Sequence, residues 1–187
     1  MDPVEMFERS ATRFGDLVRR VADDQWSAPT PCEDWDVRDL VNHVTAEQCW
    51  APHLVAGETL DDVGDRYDGD VLGDDPVGAW AAAVGSSIAA FAEPGATDRT
   101  VHLSYGDEVC SEYLLQMLTD AAVHGWDLAR AIGVDPTIDS DIAEHLTTAL
   151  EERQAMLRAS GLFAEAVTVA PEAGPTERLV ALLGRRP

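Results

Sequence analysis

The chain has 187 residues, of which 35 are acidic and 13 are lysine or arginine, giving a formal net charge of −22. All 13 are arginines, which excludes a Schiff-base lysine and a phosphate-binding lysine. The negative charge argues against binding to nucleic acid or to a membrane surface, while a hydrophobic fraction of 45% predicts one folded domain over residues 1–187.

A proline-rich loop separates the first two predicted helices. Apolar residues at helical spacing predict the first helix over residues 3–22, and residues 23–34 form the loop. The second helix is predicted to begin near Asp36, whose side chain can cap it, and to end by Gly57.

An acidic segment follows the second helix. Residues 58–75 contain eight acidic residues and one arginine, and the sequence DGD at 68–70 resembles part of an EF-hand loop. The glutamate that closes such a loop at its twelfth position is missing. We therefore expect a solvated loop here rather than a calcium site.

The central part of the chain predicts two further helices with one β-like segment between them. The third helix covers residues 76–92 and ends before a proline. Residues 99–110 contain β-formers and a Gly-Asp turn signal, typical of a short hairpin or an extended crossover. The fourth helix covers residues 111–132 and ends at Gly133, a residue suited to a C-cap.

The C-terminal part predicts a fifth helix over residues 140–159 and a short helix over residues 176–183. Four long helices with one long connection predict an all-α fold of the four-helix-bundle type. Residues 161–187 are then expected to be a C-terminal extension packed on the bundle.

The cysteines and the N-terminus predict a cytoplasmic protein. Cys32, Cys49 and Cys110 are odd in number and form no close pair, which is typical of a reducing compartment. The first ten residues are acidic and contain no apolar run, so no signal peptide is expected. Cys32 lies in an acidic loop that disfavours a reactive thiolate, and we read it as chemically inert.

The fourth helix carries the most informative pattern of polar residues. Asp120 and His124 are four residues apart, so both side chains project from the same face of the helix. A carboxylate and an imidazole at this spacing can bind one cation, as the paired histidines of HExxH sites do. The same spacing also occurs in ordinary electrostatic contacts on helices, and both interpretations stay open on the pair alone.

His43 on the second helix is a possible complement to this pair. It flanks the apolar stripe of its helix, where a histidine at the core boundary is the alternative interpretation. Helices of a bundle direct such flanks toward a shared interior, where metal sites are built. Together, His43, Asp120 and His124 form a two-histidine, one-carboxylate set with open coordination positions. Such a set suits zinc, and equally Fe(II), Ni(II) or Mn(II).

The segments TPCEDWDVRDLVNHV at 30–44 and DAAVHGWDLARAIG at 120–133 resemble signature blocks of the DinB-like superfamily. The likeness is closest to its actinobacterial branch of metal-binding proteins related to mycothiol-dependent maleylpyruvate isomerase. The resemblance implies an up-down-down-up four-helix bundle with a divalent metal near one end. It implies the metal ligands His43, Asp120 and His124, with zinc as the expected ion and nickel or iron as alternatives. Thiol-dependent relatives typically have glutamate in place of Asp120.

Three further residues are candidates for the surroundings of this site. Glu47 lies one turn after His43 and is a candidate fourth ligand or partner of a ligand, or else a surface glutamate. Asp127 follows His124 by one turn and can orient it, or else pair with Arg130. His102, next to the predicted turn, is a candidate pocket residue or an ordinary loop histidine.

Two functions from different classes fit these features. The first is a metal-dependent enzyme of the mycothiol-dependent transferase or isomerase type, in which the metal activates a bound small thiol, a thiol conjugate or water. The alternative is a non-catalytic bundle that binds a metal or a small ligand, with homodimer formation left open. Trp35 and Trp126 flank the histidine blocks and are read as core residues rather than substrate platforms.

Overall fold

The computed structural model describes residues 2–153 and 165–187, which form seven α-helices, a 3-10 helix and a two-stranded sheet. In chain order the elements are α1 (Pro3–Val18), α2 (Val37–Val55), α3 (Leu60–Val63), α4 (Pro76–Phe91), the 3-10 helix (Ala96–Asp98), β1 (Thr100–Leu103), β2 (Gly106–Val109), α5 (Cys110–Ile132), α6 (Ser140–Glu151) and α7 (Pro175–Leu182). The chain divides into two compact units, Met1–Val134 and Asp135–Pro187.

Four long helices build the core of the first unit. Helix α1 packs against α4 and α5, and α2 packs against the same two helices. Aromatic side chains join them, since Phe7 packs edge-on against Phe91 and Phe14 lies 4.6 Å from Trp80 between ring centroids. The predicted mostly helical fold is confirmed. The up-down-down-up order of a bundle stays a prediction.

Helix α1 ends earlier than predicted. Asp2 caps its start by accepting a hydrogen bond from the Val4 N–H group, and Pro3 occupies the first turn. The helix stops at Val18 rather than at residue 22, because the buried apolar stripe ends there. The amide of Arg20 instead bonds the Leu17 carbonyl in a tighter turn.

Helix α2 begins as the sequence predicts. The Asp36 side chain accepts a hydrogen bond from the Asp39 N–H group, and the Asp39 side chain accepts one from the Asp36 N–H group. Pro52 lies inside the last turns without ending the helix, which continues to Val55. This well-capped start matters because it lies two turns before His43.

The acidic segment is more structured than the predicted solvated loop. Thr59 and Asp62 cap the one-turn helix α3, which the sequence analysis did not predict. Farther along, the Asn42 side chain donates to the Gly69 carbonyl at 2.9 Å and accepts from the Val71 N–H group at 2.8 Å. Arg38 adds an ion pair with Asp70 at 2.7 Å. These contacts hold the acidic segment against α2.

Strands β1 and β2 form an antiparallel hairpin in the register Thr100↔Val109 to Leu103↔Gly106. Of the two predicted alternatives, the hairpin is confirmed and the extended crossover is wrong. Helix α5 follows directly, and Gly133 ends it in a left-handed conformation with φ 74°. The fourth predicted helix is therefore confirmed with a start one residue earlier.

The second unit contains α6 and α7, which pack against each other. Thr176 in α7 also contacts the residues just before α6, since its hydroxyl accepts a hydrogen bond from the Ile138 N–H group at 3.0 Å. The end of the predicted fifth helix, at 154–159, lies outside the described residues. The packing of residues 161–187 on the bundle stays a prediction.

Close packing between α1 and α4 gives a stability prediction. A Cβ atom added at Gly15 lies 2.7 Å from the indole nitrogen of Trp80, which is buried against Phe14. Gly15→Ala is therefore expected to lower the free energy of unfolding by about 1–3 kcal/mol, measured by urea denaturation. Gly85 on α4 has open space around it, so Gly85→Ala is expected to raise stability by about 0.5–1 kcal/mol. A shift of both variants in the same direction contradicts the packing argument.

Within residues 2–153 and 165–187, the helices are all too short or too polar to serve as membrane spans.

Candidate metal centre

Helices α2 and α5 bring the three predicted ligands together. The Nε2 atom of His124 lies 3.2 Å from Oδ1 of Asp120, and the Nε2 atom of His43 lies 3.7 Å from the same oxygen. One ligand atom from each residue falls within 4.8 Å of the others. The two imidazole rings meet edge to face with centroids 5.4 Å apart. The spacing of Asp120 and His124 thus places both toward α2, as the helical pattern predicts.

Asp120 is the negatively charged member of this cluster. Its Oδ2 atom is buried and has no hydrogen-bond partner within the described part of the chain. Burial opposes its ionisation, but the charge and hydrogen bonds of His124 and His43 outweigh burial, so its pKa is well below the ordinary range. The carboxylate is therefore charged and offers one oxygen to both imidazoles and a second that is unused.

His124 is held from both sides. Its Nδ1 atom lies 3.0 Å from Oδ2 of Asp127, which is fully buried. Burial opposes the imidazolium form, but the Asp120 charge and contacts with Asp120, Asp127 and Cys32 outweigh it and raise the pKa well above 6.5. Of the two predicted partners of Asp127, the structure shows His124 in contact. An acceptor at Nδ1 orients the ring with Nε2 toward Asp120.

Cys32 contributes a contact that the sequence analysis missed. Its thiol donates to Oδ2 of Asp127 at 3.2 Å and lies 3.6 Å from Nδ1 of His124. Among the described residues, Cys32, His124 and Asp127 form a second group whose ligand atoms lie within 4.8 Å of one another. Cys32 comes from the loop before α2, so no helical spacing connects it with α5. The sequence signal for it was its place in the segment at 30–44, which also contains Trp35 and His43.

Trp35 lies at this cluster and is not a fully buried core residue. Its ring centroid is 4.8 Å from that of His43 and 5.8 Å from that of His124. Trp126, by contrast, is 3% exposed and is a core residue as expected. Trp35 also lines a surface groove of about 470 Å³ that reaches His43. The other lining residues are Asp34, Asp39, Asn42, Ala46, Tyr67, Asp68 and Gly69.

Glu47 lies beside the cluster but is not one of the three converging groups. Burial and the charge of Asp120 raise its pKa, against the opposing charges of His43 and His124. The Glu47 carboxyl therefore interacts electrostatically with all three residues, and it holds its proton more tightly than an ordinary glutamate does. Tyr113 lies nearby, since burial and the charge of Glu47 raise its pKa well above 10.0.

His102 belongs to the hairpin and not to this cluster. Its Nδ1 atom lies 2.7 Å from Oδ1 of Asp107 on the opposite strand. It is in neither of the two groups that could hold a metal among the described residues. A pocket role for His102 therefore gains no support from its contacts.

Fold and cluster together define a mostly helical protein in which two histidines and one aspartate from two packed helices converge beside an open groove. Residues 7–129 match the family described as the mycothiol maleylpyruvate isomerase N-terminal domain, which is a DinB-like family. The chain belongs to this family, and the predicted resemblance is confirmed.

The chain is also similar to two proteins of Mycobacterium tuberculosis. They are the uncharacterized protein MT0763 of strain CDC 1551 and the uncharacterized protein Rv0738 of strain H37Rv. Each is 33% identical over 191 residues, which covers 99% of this chain and 98% of the relative. No solved structure gives a significant match to the chain.

Proposed function

We propose that His43, Asp120 and His124 hold a divalent metal ion. The observation that carries the proposal is the convergence of two Nε2 atoms on one carboxylate oxygen at 3.2 and 3.7 Å. Two ligands of a tetrahedral zinc ion, each about 2.0–2.1 Å from it, are separated by about 3.3 Å. The unpartnered Oδ2 atom of Asp120 also fits a role as a cation ligand, because a buried carboxylate oxygen normally has a partner.

The second group, formed by Cys32, His124 and Asp127, supports the centre rather than competing with it. Its distances of 3.0 and 3.2 Å to Asp127 are ordinary hydrogen bonds that satisfy a fully buried carboxylate. Metal-bound histidines commonly donate the other ring N–H to such a carboxylate. In this proposal the Nε2 atom of His124 binds the metal, and the Nδ1–H group of the same ring donates a hydrogen bond to Asp127.

Zinc is the ion we propose for this centre, with nickel or iron as the alternatives. Two imidazoles and one carboxylate are a ligand set that catalytic zinc sites use with a position left open. The same set suits Fe(II) and Ni(II), so the identity of the ion depends on measurement.

We infer that the centre serves a metal-dependent enzyme acting on a small thiol or thiol conjugate, as a transferase or isomerase of the mycothiol-dependent type. The family membership supports a mycothiol-related activity, and the groove beside His43 supports access for a small molecule. When bound, the metal supplies Lewis acidity that favours the thiolate form of a ligated thiol. Burial and the charge of Asp120 raise the pKa of Glu47, so this carboxyl beside the three ligands is the one suited to accept a proton that a bound thiol would release.

The architecture that we propose for this activity is an up-down-down-up bundle formed by α1, α2, α4 and α5. The contacts of α1 and α2 with both α4 and α5 support a bundle of these four helices. In such a bundle α2 and α5 are in contact, which is what the cluster requires.

The test is the metal content of protein purified without added metal or chelator. We expect close to one equivalent of zinc, nickel or iron by elemental analysis, or tight rebinding of one equivalent after chelation. Metal-loaded protein is then expected to convert thiol-dependent substrates in the presence of mycothiol. Absence of both bound and rebound metal overturns the centre. One bound equivalent without turnover of any thiol-dependent substrate favours the non-catalytic alternative.

A further inference from the structure

The Cys32 thiol lies at the end of a series of contacts that leads to the proposed metal. Its S–H group donates to Oδ2 of Asp127 at 3.2 Å, and the Nδ1 atom of His124 lies 3.0 Å from the same oxygen. The other ring nitrogen of His124, Nε2, faces Asp120 at 3.2 Å. Cys32 therefore contacts the ligand ring on its Nδ1 side, away from the atom that is proposed to bind the metal.

The Asp127 carboxylate links this thiol to the ligand. It is fully buried, and a buried carboxylate needs hydrogen-bond donors. The terminal torsion of an aspartate has no sharply preferred angle, so the donors decide where its oxygens lie. His124 is on the same helix and moves with Asp127, whereas Cys32 comes from the loop before α2. The thiol thus fixes the Asp127 oxygen relative to a second element of the fold.

The loop holds Cys32 by its backbone. The Cys32 N–H group donates to the Thr30 hydroxyl at 3.1 Å, and the Cys32 carbonyl accepts from the Trp35 N–H group at 3.2 Å. The same hydroxyl donates to the Trp35 carbonyl at 3.0 Å. A β-bridge between Pro29 and Asp36 closes the loop at the N-cap of α2. The position of the thiol is therefore tied to the start of the helix that carries the third ligand.

The chemistry of a thiol explains why Cys32 acts on Asp127 rather than on the metal. Only the thiolate is a metal ligand, and here the sulfur uses its proton to donate to a carboxylate. A thiol is also a weak donor, so the stronger hydrogen bond of Oδ2 is left to the ring N–H group of His124. The half-buried position suits a side chain that behaves as a small hydrophobe.

Resting on the proposed function, we propose that Cys32 is a positioning residue of the metal centre, whose thiol holds the Asp127 carboxylate and thereby directs Nε2 of His124 toward the metal. A carboxylate that accepts the second ring N–H of a ligating histidine fixes the tautomer and the orientation of the ring. Mutation of such partners lowers metal affinity by about 10–100-fold. Because Cys32 acts on the ring through Asp127, its effect is expected at the lower end of that range.

The first test is the zinc affinity of the full chain, measured by competition with a chelating dye. We expect Cys32→Ala to bind zinc about tenfold more weakly, and Cys32→Ser to stay within about threefold of the wild type because its hydroxyl still donates to Asp127. The matched control is Cys49→Ala, which removes another half-buried thiol that belongs to neither candidate ligand group. It is expected to keep the wild-type affinity. Unchanged affinity in Cys32→Ala, or equal losses in the alanine and serine variants, overturns the proposal.

A double-mutant cycle tests whether the thiol acts through Asp127. Asp127→Asn keeps the shape of the side chain and removes the charge that both donors share. In this background we expect Cys32→Ala to lower zinc affinity by less than about twofold further, because residues that act in one series of contacts are not additive. A full tenfold loss in the Asp127→Asn background overturns the proposal, since a packing effect of Cys32 does not depend on Asp127.

Two spectroscopic measurements complete the test. Cobalt-loaded wild-type protein is expected to show no sulfur-to-cobalt charge-transfer band from the protein, and a band that disappears in Cys32→Ala overturns the proposal because Cys32 is then itself a ligand. In metal-free 15N-labelled protein the Nδ1–H proton of His124 is expected to exchange with solvent at least about fivefold faster in Cys32→Ala than in the wild type or in Cys32→Ser.

The measurement without metal also separates this inference from the proposed function. Equal exchange of the His124 proton in wild type and Cys32→Ala overturns the positioning role whether or not metal binds. Tight zinc binding that Cys32→Ala leaves unchanged overturns the positioning role and leaves the proposed metal centre intact. Faster exchange in Cys32→Ala combined with no metal binding in any variant supports the contact between Cys32 and Asp127 and overturns the metal centre that it is proposed to position.

Discussion

His124→Ala is expected to abolish tight metal binding and to destabilise the metal-free protein. Structural zinc sites with four ligands contribute about 10–16 kcal/mol in peptides, so losing one ligand is expected to weaken binding by at least about 100-fold. The variant also leaves Asp120 and Asp127 without their imidazole partner at 3.2 and 3.0 Å. Breaking a buried ion pair from one side costs about 3–5 kcal/mol, measured by urea denaturation of metal-free protein.

A matched control for this variant is His102→Ala. His102 also contacts a carboxylate, Asp107 at 2.7 Å, but it lies in the hairpin and its partner is 70% exposed. Its removal is expected to leave zinc affinity unchanged and to alter stability by less than about 0.5 kcal/mol, because its partner is a surface carboxylate. Equal loss of zinc affinity in both variants contradicts the assignment of His124 as a ligand.

A second ligand variant separates metal binding from folding. The His43 side chain is 32% exposed, and Trp35 packs against its ring. His43→Ala therefore removes a ligand without uncovering a fully buried carboxylate. We expect it to lose zinc affinity as His124→Ala does, by at least about 100-fold, while the metal-free protein keeps most of its stability. Zinc affinity is measured by competition with a chelating dye. If a folded His43→Ala protein retains the affinity of the wild type, His43 is not a ligand.

The cluster was accessible from the sequence because helical spacing encodes which side chains share a face. Asp120 and His124 at i and i+4 necessarily lie together on α5, and His43 flanks the apolar stripe that packs α2 into the core. Their mutual approach across two helices required only that α2 and α5 be neighbours. Whether a metal occupies the cluster stays a prediction, since convergence of ligand atoms does not identify an ion.

Cys32 and Trp35 were not predicted at the site because they lie in a loop. A loop has no fixed period, so nothing in the sequence specifies which way its side chains point. The β-bridge between Pro29 and Asp36 and the positive φ of Asp34 fold this loop back toward α5. Only the folded chain shows that the Cys32 thiol lies 3.2 Å from Asp127.

The acidic segment shows a different limit of sequence reasoning. Like charges favour hydration and the segment lacks a complete calcium-binding pattern, so the sequence analysis predicted a solvated loop. The actual order comes from specific polar contacts, with Thr59 capping α3 and Asn42 bonding both Gly69 and Val71. The Asn42 contacts join residues 27 and 29 positions apart and leave no periodic trace in the sequence. These contacts also place the acidic segment along the groove.

The pH dependence of stability is expected to change sign when metal binds. In metal-free protein the pKa of His124 is raised above 6.5, with burial opposing and the Asp120 charge outweighing it. The stability that this charge pair contributes is therefore fully present below pH 6.5 and is lost as the pH rises through the higher folded-state pKa. One proton per molecule gives a slope of up to about −1.4 kcal/mol per pH unit in that range.

Metal reverses this slope because it binds the neutral imidazoles. Protons compete with the ion for the Nε2 atom of His124, so apparent metal affinity increases with pH. Bound metal at about 1,000 times its Kd stabilises the fold by about 4 kcal/mol, and this gain grows as the imidazoles deprotonate. Urea denaturation between pH 6 and 8, with and without metal, measures both pH dependences of the free energy of unfolding. Metal-free His124→Ala gives the pH dependence that the rest of this highly acidic chain contributes. Parallel curves with and without metal contradict a shared site, because competition between a proton and an ion for one imidazole makes the stabilisation by metal depend on pH.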